Sequence, residues 1–193
     1  MRSRDIEAPM IAYLVLLIAI LSRILPHVFA TTSVGFTAVG GGLLFFGARR
    51  SRWQTIIAVL ALMATDFYLT TYVYGAAFHA SAYLVTWAWY AAVCLLGHQM
   101  LSGKPSMLRV GGAVLASSTS FFILSNFMVW AGSGMYPHSL AGLAACYVAA
   151  IPFYANDVMS TAITAGALFG LPALAASIAE SLRESQHRNL PLA

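Results

Sequence analysis

The chain consists of long apolar segments separated by short polar turns. Five of these segments approach or fall within the roughly 17–25 mainly apolar residues that a membrane-spanning helix needs. They run over Met10–Leu25, Ser33–Ala48, Thr55–Tyr74, Ser81–Leu101 and Met107–Trp130. A further apolar stretch follows and is broken by Pro137, Pro152 and the pair Asn156–Asp157. By its length alone, this last stretch accommodates either one span or two.

The positions of the cations decide between one span and two. The ten cationic residues are Arg2, Arg4, Arg23, Arg49, Arg50, Arg52, Lys104, Arg109, Arg183 and Arg188. Loops rich in Lys and Arg stay in the cytoplasm. If the N-terminus is cytoplasmic and Ser139–Tyr154 does not cross, nine of the ten cations lie inside. If that segment crosses, the C-terminal tail lies outside and the cytoplasmic connection near Asn156 carries no Lys or Arg.

We therefore predict an all-α polytopic membrane protein with six transmembrane helices and both termini in the cytoplasm. Ser139–Tyr154 is predicted to form one interfacial or re-entrant helix on the outer side, and Val158–Leu182 to form the sixth span. Residues 1–193 constitute a single integral membrane domain. A cleaved signal peptide ending at Val28-Phe29-Ala30 is the alternative for the first segment. Arg23, which interrupts the apolar run, argues against cleavage.

Composition supports a membrane protein independently of the segment pattern. Hydrophobic residues make up 60% of the chain and charged residues 8%, against about 45–50% and about 25% in a typical soluble domain. A compact soluble domain of this size needs a more polar exterior, and a disordered chain needs fewer apolar residues. The main partner of this surface is therefore the lipid bilayer. The net charge of +4 arises from scattered cations, which do not indicate nucleic-acid binding.

Three ionisable residues, Arg23, Asp66 and Asp157, fall at membrane depth, where charges are costly and by default indicate function. All three map to the outer half of the predicted bundle, and most other polar side chains at depth lie near them. The candidate ligand-binding residues are Arg23, His27, Asp66, Tyr72, Asn126, Trp130, Tyr136, His138, Asn156 and Asp157. The inner half carries little besides His98.

Two interpretations of this cluster remain open. In the first interpretation, Arg23 forms a structural salt bridge with Asp66 or with Asp157, and the aromatic residues form an interfacial belt. Alternatively, the same groups line an outward-facing pocket that orients a small ligand. The restriction of the polar groups to one half of the bundle favours the pocket, because a structural network has no reason to be one-sided.

Rows of small residues occur in three of the predicted helices. They are Ala38 and Gly40–Gly42 in the second, Gly111, Gly112 and Ala116 in the fifth, and Ala162, Gly166 and Gly170 in the sixth. Such rows permit close approach of helix backbones. Packing within the chain is the simpler explanation. The alternative is a docking surface for another membrane protein.

Sequence signatures of catalysis are absent. The chain contains no HExxH, GxSxG, phosphate-binding loop, GxGxxG or zinc-ligand spacing. Cys94 and Cys146 lie in unrelated apolar segments and predict neither a disulfide framework nor a metal site. We expect no enzymatic activity, no catalytic residues, no bound metal and no cofactor.

Two stretches carry a resemblance to known proteins. Ser22–Ala48 contains Arg-x-x-Pro-His, and Ser125–Asp157 contains Asn-x-x-x-Trp followed by Gly-x-Tyr-Pro. With the aspartate of the third helix, these landmarks resemble a family of small uncharacterised bacterial membrane proteins. More distantly, that family resembles the substrate-binding S components of energy-coupling factor vitamin transporters, especially the solitary cobalamin type. The Ala-x-x-x-Ala docking row of S components is missing here, since Leu16 lies between Ala12 and Ala19.

The resemblance implies a protein of the bacterial inner membrane that captures a vitamin-like micronutrient at its outer face. By position, Pro26 and His27, Asn126 and Trp130, and the Tyr136–Asp157 segment would line the pocket. For a cobalamin ligand, His27, His138 or Cys146 would supply the axial ligand to cobalt. The sequence thus predicts binding and uptake of a small organic micronutrient. The alternative is a non-transporting scaffold or accessory subunit that contacts a membrane partner through its glycine-rich helices.

Overall fold

A computed structural model describes residues 4–28 and 36–188, and the described chain is almost entirely helical. The helices are α1 (Arg4–Val28), α2 (Val39–Arg49), α3 (Thr55–Tyr68), α4 (Leu84–Leu101), α5 (Met107–Gly132), α6 (Leu140–Ala165) and α7 (Leu171–Arg188). Single turns of 3₁₀ helix precede α3 and α4, over Arg52–Gln54 and Ala80–Tyr83. Short π-helical segments follow α3 and α6, over Leu69–Val73 and Gly166–Gly170.

Five helical stretches are long and apolar enough to cross a membrane, which confirms the all-α polytopic class. They are Met10–His27, Arg52–Val73, Ala80–Leu101, Met107–Gly132 and Leu140–Arg183. The segment predicted over Ser33–Ala48 behaves differently. Its described part forms α2, which has 11 residues and is therefore only about 17 Å long. A hydrocarbon core is about 30 Å thick, so α2 covers about half of that thickness.

The predicted interfacial helix Ser139–Tyr154 is not a separate element. It forms the first part of α6, which runs antiparallel to α5 along most of its length. Cys146 Sγ lies 3.4 Å from the carbonyl oxygen of Asn126, and the hydroxyls of Tyr154 and Thr119 lie 2.8 Å apart further along the pair. The predicted sixth span, Val158–Leu182, is likewise the continuation of the same helix through the π segment into α7.

The continuity of α6 through Pro152 depends on the helices around it. Pro152 lies inside the helix, where it removes one backbone donor. Neighbouring helices and local adjustment make such a loss tolerable in a membrane helix. The helix starts instead at Ser139, whose Oγ accepts a hydrogen bond from the Gly142 N–H at 3.1 Å. Proline in the sequence was therefore an unreliable sign of a helix boundary at this position.

The short helix α2 is the centre of the bundle. Residues 39–48 are all buried, and α2 contacts α1, α4 and α6 extensively. A Cβ atom at Gly47 would overlap the carbonyl oxygen of Cys94, and one at Gly97 would overlap that of Leu44. Gly40 and Gly41 face threonine side chains of α6 in the same way. The glycines of α2 thus serve packing within the chain.

One end of the bundle gathers Arg49, Arg50 and the start of α1. The guanidinium of Arg50 lies 5.1 Å from the ring centre of Tyr13 in α1. Arg49 lies over the ring of Phe169, which precedes α7. The start of α1 and the start of α7 are therefore at the same end of the bundle as the arginines. α7 itself is exposed over most of its length.

Candidate functional site

A buried polar network links α1, α3 and α4 inside the bundle. Arg23 Nη1 lies 2.7 Å from Asp66 Oδ1 and donates a hydrogen bond to the Tyr90 hydroxyl at 3.1 Å. Trp87 Nε1 donates to Asp66 Oδ2 at 3.0 Å, and the Tyr90 hydroxyl donates to Oδ1 at 3.4 Å. Asp66 is 2% exposed, and these three donors satisfy its carboxylate.

Of the two partners that the sequence left open for Arg23, the structure selects Asp66. A buried pair whose lone pairs are filled by additional hydrogen bonds is far less costly than two separate buried charges. The pair therefore has a structural role, because it connects α1 to α3. It also contributes to the wall of a cavity, so the structural and the pocket interpretations apply to the same residues.

A cavity of about 410 Å³ lies between the helices, with lining residues from each of α1 to α6. This volume falls within the range of about 300–1,000 Å³ that is typical of small-molecule sites. We call it the chamber. Its lining residues are Arg23, Thr37, Val39, Gly40, Asp66, Tyr83, Thr86, Trp89, Tyr90, Phe121, Phe153, Asn156 and Asp157. The lining therefore combines three charged side chains with five aromatic rings.

A second, smaller cavity of about 150 Å³ adjoins the chamber between α5 and α6. The two cavities share Phe121, Phe153 and Asp157. The smaller one is also lined by Ser118, which is fully buried and lies beside Asp157. Asp157 therefore stands at the junction of the two cavities.

Asp157 differs from Asp66 in having no cationic partner among the residues whose side chains the structure describes. Among those residues, the ion pair is Arg23–Asp66. The segment 29–35, which follows α1, contains no Lys, Arg or His in its sequence. Asp157 is half-buried on a helix that is long and apolar enough to cross the membrane. A carboxylate in this setting is expensive to maintain, which makes it the strongest functional candidate in the chain.

Five of the ten predicted site residues come together at these cavities. Arg23, Asp66, Asn156 and Asp157 line the chamber, and Asn126 lines the smaller cavity. The other five are not among the lining residues: they are His27, Tyr72, Trp130, Tyr136 and His138.

Four of these remaining residues, all except Tyr136, belong to local clusters at the other end of the bundle from Arg49. His27 Nε2 lies 3.0 Å from the Tyr74 hydroxyl, and Tyr72 packs against Phe67 and Tyr68. Trp130 donates to the carbonyl oxygen of Pro137 at 2.9 Å and its ring contacts that of His138.

Most of the aromatic wall of the chamber was not predicted from the sequence. Trp89, Tyr90, Phe121 and Phe153 lie within apolar segments, where aromatic residues are usually interpreted as core or as lipid contacts. One signal was present. Trp89 and Tyr90 lie near the middle of the apolar segment Ser81–Leu101, whereas Trp and Tyr in membrane helices concentrate at the interfaces.

The arrangement does not resemble a metal site. The described residues contain no group of three or more His, Cys, Asp or Glu side chains placed to share an ion. Two of the three side chains considered for cobalt ligation, those of His27 and His138, contact aromatic rings. The third, that of Cys146, lies against the Asn126 carbonyl. None of the three lines the chamber.

Fold and site together define a polytopic α-helical membrane protein with a charged, aromatic-lined chamber between its helices. The model of one protein family, described as a family of unknown function (DUF6580), matches residues 4–182. The chain belongs to this family. No curated protein and no solved structure matches it. The likeness to S components of vitamin transporters stays a prediction from the sequence.

Proposed function

We propose that the protein binds a small organic micronutrient in the chamber and takes it up across the bacterial inner membrane. The observation that carries this proposal is the chamber itself, which places the unpaired Asp157 and the Arg23–Asp66 pair among aromatic rings. A core that served stability alone would be filled with apolar side chains at close packing. A few convergent polar groups in a mainly apolar cavity are typical of ligand sites.

The proposed orientation follows from the cations. Arg49, Arg50 and Arg52 lie at one end of the bundle, and the positive-inside rule assigns this end to the cytoplasm. Both termini are then cytoplasmic, and the ligand enters from the end that carries Trp130 and His138. The absence of a phosphate-binding loop means that uptake draws its energy from a gradient or from a partner, as the resemblance to S components implies.

Native mass spectrometry of protein purified gently from its own membranes tests binding. We expect a small molecule bound to the wild-type chain and to Ala88→Trp, and its loss from Thr86→Trp. Thr86 lines the chamber, whereas Ala88 is exposed on the same helix. Both substitutions add the same side chain to α4, so a difference between them reports on filling of the chamber. Uptake of the released molecule by cells should follow the same order.

The alternative function is that of a scaffold or accessory subunit of a larger membrane complex. The glycines of α2 are used for packing within the chain, so of the three rows of small residues those on α5 and on the α6–α7 helix are left to contact a partner. Gly111 has no side-chain neighbour within 4 Å and lies beside the exposed Leu108. A wild-type chain that carries a protein partner and no small molecule would exclude the binding function in favour of this alternative.

A further inference from the structure

The charges of the chamber do not cancel. Arg23 and Asp66 neutralise each other at 2.7 Å, so ionisation of Asp157 leaves one uncompensated negative charge among the described lining residues. Charges removed from water at membrane depth are retained mainly where a partner offsets their desolvation. The charge balance therefore favours an occupant that carries a single positive charge.

The N-terminus of α2 supplies part of that compensation. Val39 and Gly40 line the same chamber, and the start of a helix is equivalent to roughly half a positive charge. In the region of α2, the backbone amide of Ala38 already donates to Ser22 Oγ of α1 at 3.0 Å. A partial positive charge offsets only part of a full carboxylate charge, so the sign of the chamber is unchanged.

The walls beside Asp157 are aromatic. Phe121 and Phe153 line both cavities together with Asp157, and Trp89 and Tyr90 extend the aromatic surface within the chamber. The face of an aromatic ring attracts a cation, by about 0.5–2 kcal/mol depending on desolvation. The same rings bury apolar ligand surface. A carboxylate among aromatic rings is the chemistry that recognises an ammonium group attached to an apolar body.

We infer that the occupant of the chamber is an organic cation with an aromatic or apolar body, whose positive group pairs with the carboxylate of Asp157. This inference rests on the proposed function and adds the chemical class of the ligand to it. Ser118, which is buried in the adjoining cavity beside Asp157, has a hydroxyl oxygen that can accept a hydrogen bond from an N–H of the same ligand.

A bare metal cation fits the site less well. Hard cations such as Ca²⁺ take about six to eight oxygen ligands, including several carboxylates, and the described residues show no cluster of acidic or other metal-binding side chains. A bare metal ion that enters the chamber loses the oxygen ligands of its hydration shell, and aromatic rings do not replace them.

Two measurements test the inference. The first is the identity of the molecule released in the native mass spectrometry experiment, which we expect to carry a protonated or quaternary amine at neutral pH. The second is equilibrium dialysis of the purified full chain against three test ligands of one shape. These are 2-phenylethylammonium, the uncharged 2-phenylethanol and the anionic phenylacetate. We expect the cation to bind at least about tenfold more tightly than the alcohol, and the anion to have the lowest affinity of the three.

A variant pair then assigns the preference to one carboxylate. Asp157→Asn keeps the shape and removes the charge, and should weaken cation binding about tenfold or more while leaving the alcohol unchanged. Glu180→Gln removes a carboxylate charge on the exposed α7 and should change neither the binding of the cation nor that of the alcohol. Should Asp157→Asn fail to fold, the preference of the wild-type chain for the cation still decides the question.

The outcomes separate the two proposals. The inference that the ligand is an organic cation would be overturned by a released molecule that is neutral or anionic. It would also be overturned if the alcohol or the anion bound as tightly as the cation. Either result would leave the proposed binding function intact. Stabilisation against heating by sodium chloride, but not by 2-phenylethylammonium chloride at equal ionic strength, would identify a metal-ion site instead. A wild-type chain without any small molecule would overturn the binding function itself.

Discussion

Arg23 on α1 and Asp66 on α3 are joined through Nη1 and Oδ1 at 2.7 Å, although 42 residues separate them in the chain. Tyr90 and Trp87 of α4 contribute further hydrogen bonds. The network therefore ties three helices together at one level of the bundle, next to the chamber. The groups that stabilise the bundle at this level therefore also form part of the chamber wall.

Removal of one partner of the buried pair should destabilise the protein strongly. In Asp66→Asn the guanidinium of Arg23 keeps its partly buried position without a counter-charge, and we expect a loss of about 2–4 kcal/mol in the free energy of unfolding. Unfolding in a detergent–denaturant titration measures this loss. In the double variant Arg23→Met/Asp66→Leu, which removes both charges, we expect recovery of part of it. A single variant as stable as the wild type would contradict the structural role of the pair.

The hydrogen bond from Trp87 to Asp66 should contribute separately. Trp87→Phe keeps an aromatic ring but removes the Nε1 donor that lies 3.0 Å from Asp66 Oδ2. We expect a loss of about 1.5 kcal/mol, which is typical of a hydrogen bond to a charged group. Trp53→Phe is the matched control, because Trp53 is 83% exposed and should show no change in the unfolding midpoint.

The contact between α2 and α4 should tolerate no side chain. In Gly47→Ala or Gly97→Ala the new Cβ meets a backbone carbonyl of the opposite helix, which cannot move without separating the helices. We expect destabilisation by about 2 kcal/mol or more. Gly111→Ala, which has open space around it, should instead be neutral or stabilising by up to about 1 kcal/mol. Equal effects at all three sites would contradict the central position of α2.

The aromatic residues outside the chamber should be dispensable for binding. Tyr72→Phe and Trp130→Phe alter side chains that the sequence predicted to contact the ligand but that do not line either cavity. We expect both variants to retain the small molecule in native mass spectrometry at wild-type occupancy. Loss of the molecule from either variant, with the fold intact, would show that the site extends to this end of the bundle.

Cysteine labelling in intact cells should establish the orientation. Cys94 and Cys146 are 0% and 2% exposed and give a low background with a membrane-impermeant maleimide. We expect Ser133→Cys, in the turn between α5 and α6, to react from outside. We expect Ser106→Cys, at the start of α5, to react only after the membrane is opened. The reverse pattern would invert the proposed topology while leaving the fold unchanged.

The sequence alone determined the membrane class and the positions of most spans. A bilayer imposes the same requirement on each segment independently, namely sufficient apolar length with internally satisfied backbone. The helices α1, α3, α4 and α5 could therefore be located from local composition. Asp66 and Asp157 could also be identified, because an ionisable group at membrane depth stands out in an apolar run.

Only the tertiary structure decided how these elements combine. The choice of Asp66 as the partner of Arg23, the aromatic wall of the chamber and the continuity of α6 through Pro152 all depend on which faces of the helices meet. Those faces are set by close packing around the glycines of α2, where contacts join residues far apart in the chain. Hydropathy averages over all faces of a helix, so it carries no information on which side chains face each other.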